Sequence, residues 1–192
     1  MQVSDFANRS RRSFLGSTGT LSAVAVAMLA GREALAQGMG GSVSQDISTL
    51  NVALGLEYQA IGAYQLGAES GLLQKPVLAV AVLFQSQHKT HAEALIATIE
   101  KLGGKPVMAK PLSDYATELQ ASTLKNQTDV LSLATRLELG ATNAYLGVIP
   151  SFSNLELAKV SARIAADETM HYTALLGALG RDLPTKALSF GA

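Results

Sequence analysis

From Val43 onward the apolar residues recur in steps of three and four, the spacing that gathers side chains onto one face of a helix. Four long segments carry this pattern. The first, over about 46–70, has the stripe Leu50, Leu54, Glu57, Ile61, Tyr64 and Ala68. The second, over about 76–102, has Phe84, His88, His91, Leu95 and Leu102, with Thr98 and Ile99 sharing a turn. The third, over about 129–148, has Leu131, Ala134, Glu138, Ala141, Tyr145 and Val148. The fourth, over about 154–179, has Leu157, Val160, Ile164, Glu168, His171, Leu175 and Leu179. Pro76 suits a first helical turn and Gly103-Gly104 a stop, and Gly71, Pro150, Gly180 and Pro184 punctuate the remainder. Val77 to Phe84 is apolar almost all round, which predicts a largely buried stretch of helix.

The connection over 103–127 is too long for a tight hairpin. It contains Pro106 and Pro111, and its pattern predicts one short helix over 113–124 with Ser113 as the cap. A connection of this length suits a crossover running along a bundle. The predicted fold is therefore all-α: an up-down four-helix bundle made of two helical hairpins joined by a long crossover.

The two hairpins resemble each other. Glu57 precedes Tyr64 by seven residues, as Glu138 precedes Tyr145, and His91 and His171 follow their glutamates by 34 and 33 residues. Such self-similarity points to a duplicated unit. Glu57 lies about 15 residues before the first hairpin turn, and His88 and His91 lie about as far after it, so at ~1.5 Å per residue all sit roughly 22 Å from that turn. The same arithmetic brings Glu138, Glu168 and His171 to one level in the second hairpin. Each of the four helices thus offers a polar group at one height of an apolar core.

A buried ionised carboxylate costs several kcal/mol unless it is paired or bound to a metal. No Lys or Arg occupies an inner stripe at this level, and Arg136 and Arg163 lie on the flanks. The remaining partners are a metal ion, the histidines as imidazolium, or shared protons. Glu168 and His171, three residues apart, point the same way and can serve one ion. Mixed nitrogen and oxygen donors favour a transition metal over calcium or magnesium. Gln85 and Gln87 are poorer ligands, and Glu93 points elsewhere on its helix. Tyr64 and Tyr145 lie two turns from Glu57 and Glu138. They fit either core packing with a satisfied hydroxyl or a hydrogen-bonding or redox role beside a metal.

With Glu57, His88-x-x-His91, Glu138 and Glu168-x-x-His171 in that order, the chain resembles, across the four helices, the ferritin-like superfamily, whose pattern is Glu, Glu-x-x-His, Glu, Glu-x-x-His. The resemblance implies a carboxylate-bridged centre of one or two iron or manganese ions. Its ligands would be Glu57, His91, Glu138, Glu168 and His171. Glu57 and Glu138 would be terminal carboxylates, His91 and His171 terminal nitrogens, and Glu168 a bridge. His88 stands where the pattern implies a glutamate and would be a replacement ligand. Four carboxylates balance two divalent ions, whereas three leave one positive charge over. The resemblance fits an oxidase handling iron, dioxygen or peroxide. It also fits a non-catalytic helical protein with a degenerate metal site and a structural or stress-related role, and less well an iron-storage shell.

Composition narrows the remaining classes. Cysteine is absent, which excludes disulfides, thiolate catalysis and cysteine zinc sites. Ser10-Arg11-Arg12-Ser13-Phe14-Leu15, an apolar stretch over 16–30 and the small-x-small triplet Ala34-Leu35-Ala36 follow the order of a twin-arginine export signal. The expectation is a signal peptide over 1–36, a periplasmic protein, and one bundle domain over 37–192. The signal holds four of the 15 basic and two of the 15 acidic residues, leaving the domain at a net −2. With no basic patch, nucleic acid is not an expected partner. No apolar run in the domain is long enough for a membrane span. The expected partners are metal ions and, in a homo-oligomer, further copies of the chain.

Overall fold

The computed structural model describes residues 42–191. The expected signal segment, residues 1–36, lies outside the described residues. Four long helices and one short one account for the regular structure: α1 (Val43–Glu69), α2 (Lys75–Lys101), α3 (Leu112–Glu118), α4 (Gln127–Val148) and α5 (Leu155–Ala178). There is no strand among the described residues. α1 pairs along its length with α2, and α4 with α5. The fold is the expected all-α four-helix bundle of two hairpins joined by a crossover.

The helix starts follow cap chemistry. Ser42, Asn126 and Asn154 each accept a hydrogen bond from a backbone N–H of the first turn, at Gln45, Asp129 and Glu156. α1 therefore begins three residues before Asp46, which has another task. Asp46 is buried and accepts from the backbone N–H and the hydroxyl of Ser153, tying the start of α1 to the turn between α4 and α5. The crossover helix also differs from expectation. It begins at Leu112 after Pro111 and not at a Ser113 cap, and it ends at Glu118. Gln120 then adopts a left-handed φ of 53°, which breaks the helix before a 3₁₀ turn at Ala121–Thr123.

α3 lies on the back of α1. A Cβ at Gly62 would come within 2.8 Å of the Tyr115 ring, so only glycine admits this approach. Among the described residues no element covers the corresponding outer face of α2. The expectation that Val77 to Phe84 is largely buried is accordingly corrected: Val80, Val82 and Leu83 are exposed, Val82 by 53%. Their apolar character marks no inner face, because α2 near its start meets neighbours on one side only.

Two apolar clusters flank the middle of the bundle. Leu50, Leu54, Leu95, Ile99, Leu157 and Ile164 close one end. Tyr64, Ala81, Phe84, Leu131 and Leu175 occupy the other. The polar level lies between them.

Candidate metal centre

Glu57 of α1, His88 and His91 of α2, Glu138 of α4, and Glu168 and His171 of α5 converge between the two apolar clusters, and all six are buried. Glu168 and His171 are wholly so, at 0% exposure. The structure brings together every residue that the sequence places at this level.

His88 occupies the middle. Its Nδ1 lies 2.8 Å from Glu57 Oε2 and 3.6 Å from Glu168 Oε1, and its Nε2 lies 3.2 Å from Glu138 Oε1. Both ring nitrogens are therefore engaged inside the cluster, one toward each hairpin. Glu168 divides itself in the same manner. Its Oε1 is 3.2 Å from His91 Nδ1 and its Oε2 is 3.2 Å from His171 Nδ1. His91 Nδ1 is also 3.6 Å from Glu57 Oε2, and His171 Nδ1 is 3.5 Å from Glu138 Oε2.

The donor atoms form two overlapping sets, each within 4.8 Å: Glu57, His88, His91 and Glu168, and His88, Glu138, Glu168 and His171. His88 and Glu168 belong to both. Among the described residues, the buried side-chain atoms without a hydrogen bond are His91 Nδ1, Glu138 Oε2, Glu168 Oε1 and Thr142 Oγ1. Three of them are donor atoms of these sets. Each such orphan costs about 1–3 kcal/mol of lost solvation, and a cation would supply what they lack. The residues present thus fit a binuclear metal-binding site.

A ring of further side chains fixes these donors, and it is crosswise. Tyr64 of the first hairpin donates its hydroxyl hydrogen to Glu138 Oε1 of the second, and Tyr145 of the second donates to Glu57 Oε1 of the first. His91 Nε2 lies 3.1 Å from Asp167 Oδ2, and His171 Nε2 lies 2.7 Å from Gln87 Oε1. An Nε2–H donating outward leaves the Nδ1 lone pair facing the centre, the tautomer a metal requires. His171 also stacks on Phe84, with ring centroids 4.1 Å apart, and His88 on Tyr64 at 5.5 Å.

Tyr64 and Tyr145 are each buried with the hydroxyl donated to a carboxylate of the cluster, an arrangement that fits both readings open for them. Asp167 and Thr142 carry no sequence signal of their own, and the sequence marks Gln87 only as a poor ligand. Asp167 and Gln87 do share a position, each four residues before the histidine of its own helix, although each serves the histidine of the other hairpin. Gln85 turns away to the carbonyl of Ile61 and to Gln65.

Burial alone would lower the histidine pKa values, but the facing carboxylates outweigh it. His88 is raised well above its ordinary 6.5 by Glu138 and Glu57. His91 is pushed up to about 10 by Glu168 and Glu57, and His171 is raised by Glu138 and Glu168. Burial alone would raise the carboxylates. In Glu57 the facing His88 and His91 reverse it, in Glu138 the facing His171 and His88 do, and both are lowered. In Glu168 burial prevails and the pKa is raised. Burial and the adjoining glutamates raise both tyrosines, keeping their hydroxyls protonated as donors. Without metal, imidazolium charge and carboxylate charge face one another across the core.

The described residues include no helix long and apolar enough to cross a membrane. No curated protein matches the chain by sequence. Among solved structures, it is similar to a conserved hypothetical protein from Mycobacterium tuberculosis, at 20% identity and a TM-score of 0.60, covering 77% of this chain and 99% of that one. It is also similar to a dodecameric thioferritin, the bacterioferritin-related protein from Bacteroides fragilis, at 20% identity and a TM-score of 0.62, covering 78% of this chain and 93% of that one. Both likenesses are of fold. The family model described as a ferritin-like domain matches residues 45–181, which takes in all four long helices and every residue of the cluster, and the chain belongs to that family.

Proposed function

We propose that this chain is an exported transition-metal protein whose bundle core binds iron or manganese and acts as an oxidase on iron, dioxygen or peroxide. The observation that carries the metal reading is the set of three partnerless donor atoms, His91 Nδ1, Glu138 Oε2 and Glu168 Oε1, inside a cluster of six buried Glu and His. Export rests on the twin-arginine pattern over 10–36 alone.

In this reading Glu57 and His91 would hold metal on one side of the cluster and Glu138 and His171 on the other, with Glu168 and His88, common to both donor sets, serving both. When bound, iron or manganese supplies one-electron redox chemistry. The protein contributes orientation and exclusion of water. Tyr145 and Tyr64 hold the terminal carboxylates, Asp167 and Gln87 hold the histidine tautomers, and the apolar clusters on either side keep the local dielectric low.

The test is metal content by mass spectrometry on protein purified without chelators, with a thermal melt before and after Fe(II) or Mn(II). The expected result is retained transition metal and a rise in Tm on addition, because a ligand that binds only the folded state stabilises it. Protein that retains none and shows no Tm shift overturns the reading.

A second reading has one observation in its favour. His88 is bonded at both nitrogens by Glu57 and Glu138, so three histidines and three glutamates can balance their own charge. The bundle would then be a non-catalytic ferritin-like protein with a proton-filled core. Under that reading the added metals leave Tm unchanged at every pH.

A further inference from the structure

At the end of the bundle where α1 turns into α2, the helices surround a cavity of about 250 Å³. Its walls include Val77 and Ala81 of α2, Leu131 and Ala134 of α4, and Ala174 and Leu175 of α5. Every lining residue other than Tyr64 is Ala, Gly, Leu, Pro or Val. At the opposite end of the bundle Leu50, Leu54, Leu95 and Ile99 are buried in one packed apolar cluster. Protein interiors are close-packed and keep few voids larger than a water molecule. A space of this size between packed helices is well above that scale.

The chemistry of the walls selects its occupant. An internal water needs two to four polar partners, and an apolar cavity of roughly 150 Å³ stays dry and takes up benzene. Here the one polar lining group is the Tyr64 hydroxyl, and it is committed to Glu138. No charged side chain lines the space, so an ionic ligand would lose its hydration with nothing in return. We propose that this cavity is a binding site for a small, uncharged, apolar molecule, of the size of a substituted benzene ring or a short alkyl chain, held against Tyr64. Tyr64 stacks on His88 and bonds Glu138, so an occupant touches the cluster through a single side chain. The cavity lies on the side of the cluster formed by Glu138 and His171, since Phe84, packed in the same apolar group as Tyr64, stacks on His171.

The test uses toluene as the probe and benzoate as its charged counterpart. Both are titrated into the full chain, as purified and after metal removal, while the methyl NMR signals of Val77, Leu131 and Leu175 are followed. The expected result is saturable toluene shifts on those methyls in both forms, a raised Tm with toluene, and no saturable response to benzoate. Ala134→Leu and Ala174→Leu each fill part of the space and are expected to abolish saturable toluene binding, with circular dichroism confirming the helical fold. Ala174 sits exposed at the mouth, so Ala174→Leu carries the test if the inner substitution does not fold. Four results overturn the proposal: no saturable shift, shifts confined to the exposed Val82 and Leu83, benzoate binding as well as toluene, or toluene binding that persists in the filled variants. Because the metal-free chain is titrated separately, failure here leaves the metal reading standing, and failure of metal uptake leaves the cavity result intact.

Discussion

The half of the cluster formed by Glu57 and His91 and the half formed by Glu138 and His171 are held by the same devices and sealed differently. In each, a tyrosine of the other hairpin donates to the glutamate, and a side chain four residues before the other histidine accepts from the ring. Behind His91 the acceptor is Asp167, a carboxylate with half of its side chain in solvent, at 50% exposure. Behind His171 it is Gln87, a neutral amide, with Phe84 laid over the ring. One turn beyond the glutamate, Ile61 in the first half corresponds to Thr142 in the second, whose hydroxyl is buried without a partner. Duplication supplies equal ligand positions. Their unequal surroundings make the first half more anionic and more open, and the second neutral behind its histidine and closed.

The strongest way to break this comparison is to remove what the halves share. Glu168→Ala is expected to abolish metal binding in both, whereas Glu57→Ala and Glu138→Ala each leave the opposite half able to bind. Metal stoichiometry by mass spectrometry reads the three variants, and a Glu168→Ala protein that retains its full metal complement would falsify the shared role. Next in size, His88→Glu supplies a fourth carboxylate opposite two divalent ions. It should raise occupancy toward two per chain and narrow the difference between the halves in a metal titration. A stoichiometry unchanged from the parent would show that the missing carboxylate does not limit occupancy.

Proton linkage comes third. The raised histidines contribute stability to the metal-free protein that is complete below their ordinary 6.5 and is lost as pH climbs, through about 10 for His91. The lowered Glu57 and Glu138 contribute stability that is present above their ordinary 4.5 and is lost as pH falls. Metal-free protein should therefore be most stable between these values and weaken toward pH 10. Metal binding displaces the imidazolium protons, so affinity for Mn(II) should rise over the same range. Melts across pH with and without Mn(II) check both slopes, and parallel curves would count against a metal in contact with these histidines.

The two smallest effects sharpen the contrast within each half. Asp167→Asn should weaken metal binding at Glu57 and His91 by about 10–100-fold, the usual effect of losing the partner of a ligating histidine. Gln87→Glu should strengthen the other half. Chelator competition measures both, and equal affinities in all three proteins would show that the outer acceptor does not tune the site. Tyr64→Phe and Tyr145→Phe each strip one carboxylate oxygen of its donor and should cost about 1–3 kcal/mol in chemical denaturation of the metal-free protein. A much larger loss for one than for the other would show that the crosswise pair is not equivalent.

The helices and the cluster were legible because a glutamate or histidine on an otherwise leucine-lined stripe is costly without a partner, and periodicity alone reveals where the stripe runs. The ring around the cluster was not. Tyr64 and Glu138 are 74 residues apart and Tyr145 and Glu57 are 88 apart, and no local pattern encodes which hairpin a hydroxyl will reach into. Asp167 reads as an ordinary flank acid until α5 is set against α2. Val77 to Phe84 misled for the converse reason. An all-apolar stretch looks buried from sequence, yet burial depends on whether another element arrives to cover it, and among the described residues α3 covers α1 instead.

The crosswise ring has a meaning beyond positioning. When one hairpin's tyrosine serves the other's glutamate and the reverse also holds, the contacts are those of two identical subunits related by a two-fold axis. Either hairpin by itself would lack half of its own supports, so the arrangement has the form of a dimer interface held within one polypeptide. A single chain is free of a constraint that symmetry imposes. A homodimer must write the same residue at both equivalent positions, but a single gene carrying two copies can keep glutamate at 168 and place histidine at 88.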